Sequence, residues 1–427
     1  MQEEIYKEAL VYFKEDSGFD RLFNKLKEKF EIYEKELAGT VIIDNPTSKE
    51  KEALSGFMKK NYSKSKNIQI KVARFQERLD DTKFAGIKVK VLVEKYFNMR
   101  IITKKHKRQV KQEKQEDFFN QLLKSQEGKR SYKILKEVME ERNETFGILK
   151  MEYNLHKEIA KNALVNACMA INNLPNKKMS LPVFSAQILK NPHELDRTNI
   201  TGRIFLSLLS KEQNMKKPRL IEELSEFYYN NNLLIDDLSN MVLCKNIIGK
   251  KEGKIHVGWK GFVDNNEPMQ VTLLQLSNID EVKLNLPYAI VVENPAVFSE
   301  LSMSTRNIGL VCTYGQVKLS GLILLELLKK SGTQLYYSGD IDPEGIQIAD
   351  RLKQRFKESI ILFGFDEHTY IKNLSNVVLN KSRLKKLESI STQELKELAD
   401  FLRFEERAAY EEKNIDAILK LASNLEN

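Results

Sequence analysis

The 427 residues are too many for one ordinary core and enough for two or three domains, and 41% hydrophobic with 30% charged residues argues against a disordered or fibrous chain. No apolar run approaches the roughly 18 to 20 residues that span a bilayer, and Met1 opens an acidic segment rather than a signal peptide, so a cytoplasmic protein without membrane contact is expected. The formal charge of +9 suits a polyanionic partner without identifying one; Cys168, Cys244 and Cys312, far apart and without a CxxC pair, suggest neither a disulfide framework nor a zinc knuckle and read as buried thiols.

From the amino terminus, Phe19, Leu22, Phe23, Leu26 and Phe30 recur at helical spacing, residues 39–44 read as a strand, 48–56 as a helix, 59–66 as a polar loop, 68–72 as a strand and 73–96 as mainly helical. Residues 1–115 are therefore expected to form a mixed α/β module. Within 103–114, six of twelve residues are Lys or Arg, which fits an exposed helix or hinge, with phosphate contact as the alternative. Residues 116–280 read as helical and winged-helix-like. Phe146, Leu149, Met151, Leu155, Ile159 and Leu164 lie on overlapping apolar faces, with Gly128 and Gly147 as possible breaks. Two further helices follow at 181–189 and 203–209, Pro218 opens another, and strand-like 240–244 would complete a hairpin.

From about Leu284 short apolar strands alternate with amphipathic helices, the pattern of a parallel α/β sheet, so 281–427 is expected to be a separate domain. Residues 288–292 are apolar throughout, as for a strand buried on both faces, and stop at Glu293 before Asn294-Pro295. The run 308–312 repeats the design, and 333–338 ends in Gly339-Asp340-Ile341-Asp342-Pro343-Glu344-Gly345, after which Ile346, Ala349, Leu352 and Phe356 stripe a helix. Ligands of open parallel sheets bind at the carboxyl ends of strands, where Glu293, Asp340 and Asp342 all fall. Three carboxylates at close range repel one another in a partly dehydrated site and call for a hard divalent cation, Mg²⁺ or Mn²⁺.

Each acid also has an ordinary role open to it. Asp342 suits a helix N-cap with Pro343 at the first helical position, Glu344 is favoured by the helix dipole, and Glu293 can be a turn residue. The joint arrangement, an acid after one buried strand and DxDxxG after another, is what points to a metal. Glu344 is a further candidate for the catalytic set. Glu411 and Glu412 can supply another acid or simply solvate a helix, and Lys318 can meet a phosphate or remain on the surface.

The stretches VVENPAVF, LVCTYGQ and YYSGDIDPEGIQIADRL resemble the Toprim fold of topoisomerases, primases and several nucleases. The chain as a whole resembles the JetD-like nuclease subunits of Wadjet anti-plasmid defence systems, through GFDRLFNKLKEKFE, TVIIDNPTSKEKEALSGFM, NPHELD, NNLLIDDLSNMVLCKN, EPMQVTLLQLSN and AAYEEKNIDAIL. The resemblance implies a Toprim domain with a Rossmann-like parallel sheet, in which Glu293, Asp340 and Asp342 hold magnesium. It further implies a homodimer that cuts double-stranded plasmid DNA when delivered by SMC-like ATPase, kleisin-like and accessory winged-helix subunits. The related type IIB topoisomerase A subunits use a winged-helix tyrosine, for which Tyr228 and Tyr229 are the candidates by location, although core packing suits at least one of them. A DNA-binding scaffold with a structural metal is the competing class. Nucleotide hydrolysis is disfavoured, because no GxxxxGK[ST] loop occurs.

Overall fold

The aromatic periodicity near the amino terminus is realised as a 3₁₀ turn, Ser17–Phe19, and a helix, Asp20–Ile32, in the computed structural model, which describes residues 2–35 and 37–427. Phe19, Leu22, Phe23, Leu26 and Phe30 are buried there among side chains of Gln2–Glu15, Val72–Asp80 and Val89–Phe97. The Phe13 ring lies 4.9, 5.0 and 5.1 Å from those of Phe19, Phe23 and Phe57, within the range of favourable edge and tilted packing. An antiparallel ribbon of Thr40–Asp44 and Asn67–Lys71 turns Val41, Ile43, Ile68 and Ile70 onto this core, because side chains alternate along a strand. The helix Ser48–Met58 starts at a capping box of Thr47 and Glu50. The basic run forms the first half of a helix, Lys104–Lys124, with Lys104, Lys105, Lys107, Arg108, Lys111 and Lys114 all exposed.

That helix runs through residue 115, so the boundary expected there is displaced: one compact unit extends to Glu127 and a second covers Gly128–Asn427. The first carries 28 Lys and Arg against 21 Asp and Glu, the second 41 against 39, so most of the positive excess belongs to the first. In the second unit, Arg130–Glu141, Glu144–Leu155, Lys157–Asn172 and Ile200–Glu212 pack as helices, burying Leu149, Leu164, Ile171, Ile204 and Phe205. Gly128, at φ +76°, breaks the chain as expected, whereas Gly147 lies inside a helix. Met151, Leu155 and Ile159 are at least half exposed, so the apolar face read across them is only partly covered. Pro218 lies outside the helix it was expected to open, which spans Ile221–Asn230.

The strand at 240–244 departs most from expectation. It is Met241–Lys245, and instead of closing a wing it joins a six-stranded sheet ordered Ile360–Leu362, Gln334–Ser338, Tyr288–Val292, Gly309–Cys312, Met241–Lys245, Met269–Thr272. The first four strands are mutually parallel and the last two pair antiparallel, which also removes the boundary expected near residue 280. Ala289, Val291 and Val311 face a core with Leu324, Leu328, Ile346 and Leu352, while Ile290, Val292 and Leu310 face Phe298, Leu301 and Ile418. Helices on both faces explain why the strands Tyr288–Val292 and Gly309–Cys312 carry no charged side chain. No helix among the described residues is long and apolar enough to cross a membrane.

Candidate active site

Parallel register sets Val292 beside Ser338, so the chain leaves both strands at one edge, as Glu293 and as Gly339-Asp340. Gly339 lets the two exits approach: a Cβ there would come within 2.8 Å of Glu293 Oε2 and 2.9 Å of the Tyr337 hydroxyl. The Asp340 amide donates to Glu293 Oε2 at 3.4 Å, and the Tyr337 hydroxyl reaches the same oxygen at 3.5 Å. Asp342 caps the helix Pro343–Phe356, its Oδ1 accepting the Gly345 amide at 2.8 Å. The ordinary capping role weighed from sequence is therefore real for one of its oxygens.

Glu411, which sequence left between a further acid and a solvated helix, is neither exposed nor in a regular helix. It begins the 3₁₀ turn Glu411–Asn414 and is 1% exposed. Just before it, Ala409 and Ile341 exchange backbone hydrogen bonds of 2.8 and 3.0 Å, which ties this late segment to the DxD loop. The Glu411 amide donates to Asp340 Oδ1 at 2.8 Å, and its own Oε2 accepts the amides of Glu293 at 3.1 Å and Asn294 at 2.8 Å. Glu412 stays exposed and accepts from Asn294 Nδ2 at 2.5 Å.

Charge divides the acids into two groups. Burial, reinforced by the charge on Asp340, pushes Glu293 up to about 7. Burial pushes Asp340 up to about 6 against the opposing Glu411 amide, and pushes Glu411 up to about 8, with Glu293 and Asp340 adding repulsion. Asp342 and Glu344 instead have cations. The Arg383 guanidinium bonds Asp342 Oδ2 through Nη2 and grips Glu344 through Nε at 2.9 Å and Nη2 at 2.6 Å, while Lys386 Nζ meets Glu344 Oε1 at 2.6 Å. Burial opposes ionisation of Glu344, but these bonds outweigh it and hold its carboxyl down at about 2.

Among the described residues, no three His, Cys, Asp or Glu side chains form a ready-made cation cage. Asp342 Oδ2 is turned to Arg383 and Glu411 Oε2 to two amides, so neither is free to converge. The donor set nevertheless fits a cation. Glu411 Oε1 is buried with no hydrogen-bond partner, the neighbouring Ser338 hydroxyl relieving its charge only in part, and two further acids beside it are disfavoured as anions.

The remaining candidates lie elsewhere. Lys318 is exposed and donates to the Ser239 carbonyl at 3.3 Å. Tyr228 is buried and stacked on Phe205 at 6.1 Å, its hydroxyl driven further from ionisation by burial, and the Tyr229 ring carries Lys178 Nζ 3.7 Å above it. Sequence reasoning missed Arg383, which sits in a lysine-rich stretch that reads as ordinary surface, and underrated Glu411; the small apolar pair Ala408-Ala409 just before Glu411 was the available signal that the chain is buried there.

Fold and site together define an α/β domain with acidic groups gathered at the carboxyl edge of its sheet. Residues 37–249 match the family described as Protein of unknown function N-terminus (DUF3323), and residues 269–421 match Protein of unknown function C-terminus (DUF2399). The two matches follow one another along the chain, the second spanning the acidic edge. No curated protein matches it.

Proposed function

We propose that the acidic edge belongs to a Toprim domain that holds Mg²⁺ or Mn²⁺, and that the chain is a metal-dependent endonuclease subunit of an SMC-type anti-plasmid defence complex. The observation that carries this reading is the meeting of Glu293, Asp340 and Glu411 at one strand edge with raised proton affinities and one orphaned buried oxygen. The paired domain content, which is that of JetD-like proteins, supports the biological setting. Glu293, Asp340 and Asp342 are the ligands in this reading. A bound ion supplies the positive charge that phosphodiester hydrolysis requires at the phosphoryl oxygens. Glu411 acts as a positioning residue, fixing the exit of the Tyr288–Val292 strand through two amides and orienting Asp340 through its own. Double-stranded plasmid DNA is the substrate, a second copy of the chain the partner in a homodimer, and SMC-like, kleisin-like and accessory winged-helix subunits deliver it.

A non-catalytic scaffold is the second reading, favoured by the neutralisation of Asp342 and Glu344 by Arg383 and Lys386. Tyrosine-dependent cleavage draws little support, since the buried, stacked Tyr228 is a poor nucleophile. The test incubates circular DNA with the protein and its partner subunits in Mg²⁺ or Mn²⁺. Strand scission is expected, with loss of at least about 100-fold in Asp340→Ala. Scission at full rate in that variant refutes the site; absence of scission by the complete complex favours the scaffold.

A further inference from the structure

Arg383 stands where a cation would be expected. Its guanidinium takes the one oxygen of Asp342 that the helix cap leaves over, and is itself held from behind by Glu344, which Lys386 braces in turn. Asp342 is well covered, at 12% side-chain exposure, whereas Arg383 is 31% and Lys386 44% exposed, so the cations lie on the solvent side of the acid. The short helix Lys381–Leu384 that carries Arg383 is followed by a 3₁₀ turn packed on the Pro343–Phe356 helix, so the guanidinium approaches from a separate strap rather than from the sheet.

Resting on the metal-site reading above, we propose that Arg383 is a resident counter-ion that yields Asp342 Oδ2 to the incoming divalent cation, and that it then serves the DNA phosphate while still anchored on Glu344. An Asp342 oxygen already accepting from a guanidinium cannot ligate an ion at full strength, so ion binding and the Arg383 contact compete. Glu344 holds the Nε and Nη2 nitrogens of Arg383, so displacement from Asp342 does not release the side chain; it frees the other N–H of Nη2, next to Nη1, for which a phosphodiester oxygen is a matching acceptor. Glu344 then acts by positioning Arg383 and not as a metal ligand.

The test titrates Mn²⁺ into the full-length protein and follows the electron paramagnetic resonance of the free ion, for wild type, Asp340→Ala, Arg383→Gln, Arg383→Lys and Lys386→Ala. Thermal unfolding of each checks that the variants fold. Arg383→Gln is expected to bind Mn²⁺ about tenfold more tightly, a change of ~1.4 kcal/mol, and yet to cut DNA at least about tenfold more slowly in the complete complex. Arg383→Lys should lie between it and wild type in both measurements, and Lys386→Ala, which does not touch Asp342, should shift Mn²⁺ affinity less than about twofold. Unchanged or weaker Mn²⁺ binding in Arg383→Gln overturns the competition, and faster cutting by that variant overturns the phosphate role. If Asp340→Ala abolishes Mn²⁺ binding, the site itself stands whatever Arg383 does. If it leaves binding intact, the site falls and takes this proposal with it.

Discussion

Both units bury charged side chains, but they treat them differently. In the first unit Glu50 is enclosed by an ion pair to Arg21 at 3.2 Å and by the reciprocal bonds of its capping box, and buried Arg78 meets Asp81 at 2.5 Å and the Phe57 carbonyl. Glu50 and Arg78 thus each have an oppositely charged partner that offsets their desolvation, although Arg21 Nε makes no hydrogen bond of its own. At the acidic edge of the second unit, Glu411 is buried and Glu293 and Asp340 are half-buried, held by backbone amides and by one another and, among the described residues, by no cation. A fold that satisfies charge in one place and leaves it less satisfied in another makes the second place the candidate for binding, the reading proposed above.

The largest effect that would sharpen this contrast is on chemistry. Glu293→Gln keeps the side chain's size but removes its charge, and is expected to reduce DNA cutting by at least about 100-fold with little loss of thermal stability; unimpaired cutting would break the comparison at its centre. The first unit should show the opposite pattern. Phe13→Ala, which removes a ring packed against six others, is expected to cost about 3–5 kcal/mol in denaturant unfolding without altering the Mn²⁺ affinity of the folded protein.

A third expectation concerns pH. Glu293, Asp340 and Glu411 hold their protons more tightly in the fold than their ordinary values of 4.5, 3.8 and 4.5. The metal-free fold therefore keeps protons that the unfolded chain has released. This stability is complete below about pH 4 and is lost as pH rises from there through 6 to 8. Glu344, held at about 2, acts in the opposite sense and only at lower pH. Thermal melts across pH should show the decline, Mg²⁺ should reduce it, and Glu411→Gln should remove its upper part; a flat profile without metal would contradict the charge deficit. The smallest effect is Thr47→Ala, which opens the capping box and should cost about 1 kcal/mol, independent of metal.

Much of the acidic edge is legible in the sequence because it rests on local pattern. The apolar run 288–292 reads as an interior strand and places Glu293 at its end, while the shorter alternation of 334–338 before Gly339 places Asp340 and Asp342 just past a second strand. Helix capping by Asp342 is equally local. The strand Met241–Lys245 shows where local pattern stops: its residues specify an extended segment, but whether it closes a wing or joins a sheet depends on a partner, Gly309–Cys312, more than sixty residues away. Glu411 and Arg383 are of the same kind. Glu411 reaches the Glu293 amide across 118 residues, and Arg383 reaches Asp342 across 41.

The sequence by itself therefore determined the main strands and helices around the acidic edge and the positions of three acids beyond strand ends, since hydrophobic period and capping act over a few residues. Only the tertiary structure decided which acids share a boundary of low polarity, which of them receive a cation from the chain itself, and which are left without one. Those are properties of distance and burial, and they are set by segments that the sequence keeps far apart.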